Sequence, residues 1–159
     1  MQYATINLSK EQIKLVAEAA KELEKELEKE LDKESAEESA EEFRELSASG
    51  QKLFRSLEEQ IRENLRNFQK SHARQAPVSK RTMKLPKEKG FVVKQADVIV
   101  AILLTGSEIK RDVKIYSPSS LVYSWPKDVA CIIPRGWMLR SDGSDCYVNV
   151  MRMSFQEET

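Results

Sequence analysis

Apolar residues recur every three or four positions from Ile13 through Val16, Ala20, Leu23 and Leu27 to Leu31, with glutamate and lysine filling the gaps. That spacing is helical, because only a helix gathers such residues onto one stripe. Ser9 stands at the N-cap position ahead of the stripe, and Gln12 three residues later completes a capping box, so the helix starts there. Before it, Tyr3 to Leu8 alternates in the manner of a strand. The stripe itself is narrow, as in a coiled coil.

Between Leu31 and Ala36 the spacing slips to five residues. Ser35 with Glu38 could cap a new segment, which predicts a kink or a break. The stripe resumes at Ala36, Ala40, Phe43 and Leu46, and Gly50 in "SASG" reads as a C-terminal stop. A second helix then carries Leu53, Leu57, Ile61, Leu65 and Phe68 and fades before Pro77. An unbroken first helix of about 38 residues would span about 57 Å, against about 33 Å for the second. Its excess stripe needs a partner in the β region or in another chain, so the expectation is a homo-oligomer, a dimer or a trimer.

From Gly90 the vocabulary changes to β-branched and aromatic residues punctuated by turns. "FVVKQADVIVAILL" supplies a strand or two, and "IKRDVKIY" alternates as a half-exposed strand does. "LVYSW" and "VACII" read as a hairpin through "PKD", with "WMLR" and "CYVNVMRM" following through "PRG" and "SDGSD". The fold class expected is α+β: an N-terminal long helical hairpin or coiled-coil module over residues 1–72, a basic linker over 73–90, and a small antiparallel β module of about six strands over 91–159, barrel or sandwich.

Composition narrows function mainly by exclusion. Among 159 residues, 26 basic side chains balance 26 acidic ones, so mean charge predicts neither nucleic-acid nor membrane affinity. The longest apolar run, Val98 to Leu104, is far short of the roughly 20 residues of a membrane helix. A soluble, cytoplasmic protein without a membrane partner is expected. Cys131 and Cys146 have neither zinc spacing nor the numbers for a disulfide framework and read as reduced, buried thiols. His72 is the only histidine, which excludes a site needing two imidazoles from one chain. No Walker, GxGxxG or GxSxG motif occurs, so neither an enzyme nor a bound metal or cofactor is expected. "SDGSD" has too few carboxylates at alternate positions for a calcium loop and reads as a turn.

Three functional readings remain. The first is an assembly or adaptor protein whose helices self-associate and whose β module offers a surface to a protein partner. The second is nucleic-acid binding through Arg74, Lys80, Arg81, Lys84, Lys87 and Lys89, helped by Arg62 and Arg66, since a basic arm gains affinity by releasing counterions. No aromatic residue interleaves with those cations before Phe91, so stacking platforms are missing. The third is an anionic, nucleotide-like small molecule held by Arg135, Trp137 and Arg140, two guanidinium forks beside a stacking ring. Strand alternation puts Arg135 and Trp137 on one face and Arg140 on the other, so the trio converges only where the chain bends.

Overall fold

The computed structural model describes residues 3–31, 43–68, 74–94, 97–104, 113–143 and 145–156. In chain order they form β1 (Ala4–Asn7), α1 (Lys10–Leu31), β2 (Phe43–Glu45), α2 (Ala48–Phe68), β3 (Arg74–Leu85), β4 (Gly90–Val92), β5 (Asp97–Leu103), β6 (Val113–Tyr116), β7 (Val122–Ser124), β8 (Val129–Ile133), β9 (Met138–Ser141) and β10 (Cys146–Gln156). The strands make two antiparallel sheets: a six-stranded one ordered β1-β8-β5-β10-β3-β2 and a four-stranded one ordered β4-β9-β6-β7. The chain is therefore mainly β, and the expected helical hairpin or coiled coil with a small β module appended is not what it forms.

Alternation along the central strands explains how three layers stack. Val98, Val100 and Ile102 of β5, with Ala130 and Ile132 of β8, join the cluster that includes the helices. Ile99, Ala101 and Leu103, with Cys131 and Ile133, join the cluster that includes the smaller sheet. The larger sheet is thus the middle layer, covered on both faces, and that is why β5 and β8 read as unbroken apolar runs. The outer face of the smaller sheet is the one sheet face to which neither cluster gives a cover.

Both helices spend their stripes on the larger sheet. α1 buries Val16, Ala19, Ala20 and Leu23, and α2 buries Leu53, Phe54, Leu57, Ile61 and Leu65, all in one core with the sheet. Each large apolar side chain buried this way contributes about 1.5–3 kcal/mol. The described parts of α1 and α2 have 22 and 21 residues, and the unbroken first helix of about 38 residues is not formed, because Phe43–Glu45 is a strand. Phe43, counted in the stripe of the first helix, opens β2 opposite Met83 instead. The expected break at Ser35 lies outside the described residues.

Local capping starts both helices. Ser9 and Gln12 form the capping box, at 2.8 Å and 3.2 Å, and Gln12 Nε2 reaches on to Ser56 Oγ of α2 at 3.2 Å. Gly50 is not a helix stop. It lies in the first turn of α2, where its amide donates to Ser47 Oγ (3.2 Å), so "SASG" opens a helix. A Cβ at Gly50 would lie 3.0 Å from Asn149 Nδ2 on β10, so glycine lets the helix end approach the sheet.

The segment read as a basic linker is β3, paired with β10 on one side and β2 on the other. Its Thr82 hydroxyl donates to Asn149 Oδ1 at 2.7 Å, a buried polar pair beneath α2. Three expected hairpins are corners between sheets. "PKD" carries the chain from β7 in the smaller sheet to β8 in the larger, "PRG" returns it to β9, and "SDGSD" sends it back to β10. Among the described residues β6 and β7 form a hairpin, through residues 117–121.

Candidate ligand cleft

The corner after β8 and the loop after β6 meet at one end of the sandwich. Pro134 to Trp137 is a tight turn closed by the Trp137 amide on the Pro134 carbonyl (3.3 Å), and Gly136 supplies φ 81°. The left-handed region suits glycine because a Cβ would crowd the carbonyl there. The corner is then tied to the residue after β4, the Trp137 carbonyl accepting from the Val93 amide and the Gly136 amide donating to the Val93 carbonyl, each at 2.9 Å. That fixes the indole on the inner side of the smaller sheet, where it is 4% exposed.

Across from it, the Ser117 amide donates to the Leu121 carbonyl (2.8 Å) and the Leu121 amide to Ser117 Oγ (3.0 Å). Ser120 is held at φ 68° within this loop. A non-glycine residue in that region costs about 1–2 kcal/mol, so the loop's own hydrogen bonds hold a shape the chain would otherwise avoid. Ser117, Pro118, Ser119, Leu121, Tyr123, Pro134, Arg135 and Trp137 line a cleft of about 360 Å³ between the two segments. Its floor is aromatic: Tyr123 stacks on Trp137 at 5.9 Å between centroids, and Tyr3 meets both rings, at 5.3 Å and 5.7 Å. Burial raises the Tyr3 hydroxyl above its usual pKa, with Cys131 and Tyr123 adding to the effect.

Of the three residues picked out as a ligand trio, the fold brings together Arg135 and Trp137. Arg140 faces the other way, on the outer side of the smaller sheet. Its Nε lies 2.9 Å from Asp142 Oδ1, and the same carboxylate meets Lys114 Nζ at 3.6 Å and the Tyr116 hydroxyl at 3.4 Å. Sequence reasoning missed Ser117 and Ser119 as cleft residues. "SPSS" and "LVYSW" carried turn and strand signals but nothing that linked them to "PRGW".

The basic set does not share one face. Along β3, Lys80 and Lys84 alternate with Arg81, so Lys80 meets Glu58 of α2 at 3.7 Å and Arg81 lies on the opposite side across from Glu45. Lys84 meets Asp145 at 3.7 Å, and the Lys87 amide donates to the same carboxylate at 2.8 Å. Lys89 sits exposed in the turn before β4. Arg74 opens β3, and its side chain lies outside the described residues. A second cleft, of about 370 Å³, is lined by Arg55, Lys80, Arg81, Gln51, Leu46 and Glu45. Of its cations, Lys80 meets Glu58, and Arg81 stands opposite Glu45 in the β2–β3 register.

No family model, curated protein or solved structure matches the chain. What the arrangement can do must be read from its chemistry alone. Among the described residues no group of three His, Cys, Asp or Glu side chains is placed to hold a metal ion. Asp142 and Asp145 of "SDGSD" are engaged with lysine and arginine. Cys131 is buried and its thiol is pushed up to about 12, so it is not a nucleophile at neutral pH. No helix among the described residues is long and apolar enough to cross a membrane.

Proposed function

We propose that the chain is a non-catalytic binding module whose cleft between loop 117–121 and the Pro134–Trp137 corner receives a ligand with a flat or apolar body and an anionic group. The lining carries this reading. Trp137 and Tyr123 offer an apolar floor, Ser117 and Ser119 offer hydroxyls, and Arg135 is the one charged residue among the described lining. A guanidinium facing a cleft without a carboxylate leaves its donor fork for an incoming anion. About 360 Å³ suits a small ligand or a few side chains of a larger one.

The helices lend no support to self-association, since their stripes face the chain's own sheet. Nucleic-acid binding has weaker support than the cleft, because Lys80 and Lys84 meet carboxylates and Arg81 lies on the other face of β3. Cys131 and Cys146 are buried thiols outside any disulfide, which suits a reducing compartment, and the reading therefore includes a cytoplasmic location.

The test uses 8-anilinonaphthalene-1-sulfonate, which joins flat rings to an anion, titrated by fluorescence while near-ultraviolet circular dichroism monitors native packing. Arg135→Ala should weaken binding about tenfold, the scale of one lost charge-assisted contact, and Arg140→Ala should leave it unchanged. Wild-type affinity in Arg135→Ala would remove the reading.

A further inference from the structure

We infer that the natural occupant of this cleft is an extended, acid-bearing peptide segment that adds to the smaller sheet along β7. The inference rests on the cleft reading and names the kind of ligand. Among the described residues β7 ends its sheet, with a ladder to β6 alone: Lys114 opposite Ser124, Ile115 opposite Tyr123 and Tyr116 opposite Val122. Edge strands of native proteins are normally blunted by charge, proline or a bulge. The β2 edge carries Arg44 and Glu45, and the β4 edge lies between Lys89 and Lys94. β7 itself, with Leu121 before it, carries neither charge nor proline, and a proline follows only at Pro126, two residues beyond the strand.

The same edge presents apolar groups on both faces. Leu121 is 58% exposed on the cleft side, next to Tyr123, and Val122 is 50% exposed on the outer side. Val122 also ends a row that crosses all four strands through Tyr116 and Met138 to Val92, itself 55% exposed. A strand added to β7 would therefore send alternate side chains into the cleft and onto the end of this row. Arg135 at the cleft rim calls for a carboxylate among the inward-facing ones.

Size argues against a second copy as the occupant. Four strands about 4.8 Å apart and about 13 Å long present a face of roughly 250 Å². A stable dimer buries about 800 Å² per partner. Beyond the face and edge, Phe43 is the only other large hydrophobic exposed among the described residues, so little remains to widen such an interface. An extended segment needs no wide surface, because the outward backbone groups of Val122 and Ser124, which have no partner strand among the described residues, supply its hydrogen bonds.

The test pans a phage-displayed random-peptide library on the full chain and resynthesises the selected peptides. Selected sequences should alternate apolar residues and carry an acid, and their binding should slow amide exchange at Val122 and Ser124, whose amides point away from β6. N-methylation of alternate peptide amides and the variant Val122→Lys should each abolish binding, with the variant's fold verified by circular dichroism. Replacing the peptide's acid by its amide should weaken binding about tenfold to wild type and leave binding to Arg135→Ala unchanged. Selected peptides that protect no β7 amide would overturn the inference, as would a failure to select any. A doubled molar mass by light scattering that Val122→Lys halves would overturn it too, in favour of a second copy. In each of these cases, retained dye binding with its Arg135 dependence keeps the cleft reading, whereas its loss removes both.

Discussion

The carboxylate of Glu22 on α1 accepts hydrogen bonds from the amide and the hydroxyl of Ser49 in the first turn of α2, at 3.0 Å and 2.8 Å. One helix thereby caps the other, since the first amides of a helix have no partner within it. Burial pushes the Glu22 carboxyl up, but the Ser49 amide and hydroxyl, the Ser47 hydroxyl and the charge of Lys52 outweigh that, so its pKa lies below the usual 4.5. A lowered folded-state pKa contributes stability that is complete above 4.5 and lost as pH falls through the folded value. Glu22→Gln should cost about 1 kcal/mol at neutral pH, the scale of a helix cap. Thermal melts across the acid range should show a flatter limb in the variant, and an unchanged limb would refute the linkage.

Gly50 sits where two effects oppose. Alanine in a helix gains about 1 kcal/mol over glycine. Here its Cβ would lie 3.0 Å from Asn149 Nδ2, and the Thr82 hydroxyl holds that side chain by its Oδ1 at 2.7 Å. Overpacking costs about 1–3 kcal/mol, so Gly50→Ala should be net destabilising by about 1 kcal/mol. Urea denaturation of the single variants and of Gly50→Ala with Asn149→Ala closes a double-mutant cycle. The pair should be more stable than the sum of its parts, and strict additivity would show that the contact carries no strain.

What the sequence makes legible here is whatever depends on neighbours in sequence. The Ser9–Gln12 box, the α2 stripe and the strand segments from Gly90 onward all rest on spacings of two to four residues. Helical spacing says that Val16, Ala20 and Leu23 are buried, but not against what, so a stripe docked on a sheet was read as a coiled-coil seam. β3 was missed because Lys80, Arg81 and Lys84 break its apolar pattern, leaving Thr82, Met83 and Leu85 as the buried residues among those whose burial is described, and because Pro77 demotes a strand. The corners at "PRG", "PKD" and "SDGSD" look like hairpin turns since a turn's residues report its backbone angles, not which sheet receives the next strand. The cleft joins two such segments, and so only Arg135 and Trp137 of its lining were identified as ligand contacts.

Gly136 tests how far the cleft depends on its corner. At φ 81° an alanine would cost about 1–2 kcal/mol or force the turn to rearrange. Because Arg135 and Trp137 flank it, Gly136→Ala should lower both the melting temperature and the dye affinity, whereas Gly50→Ala should lower the first alone. Equal dye affinity in the two variants would mean that the corner does not shape the site.

Cys131 lies in β8, in the middle layer, and burial lifts its thiol from the ordinary 9.0 to about 12. At neutral pH a disulfide reagent should therefore label no Cys131 in the native protein and should react fully once the chain is unfolded. The same shift sets an alkaline limb. Between 9.0 and about 12 the unfolded chain releases a proton that the folded chain keeps. The stability tied to this group is thus complete below 9.0 and falls as pH rises through that window. Cys131→Ala lowers stability at every pH by opening a cavity, so the level of its curve says nothing about titration. The slope does: thermal melts above pH 9.0 should fall less steeply in the variant than in the wild type, and parallel curves would show that the thiol does not titrate in this way.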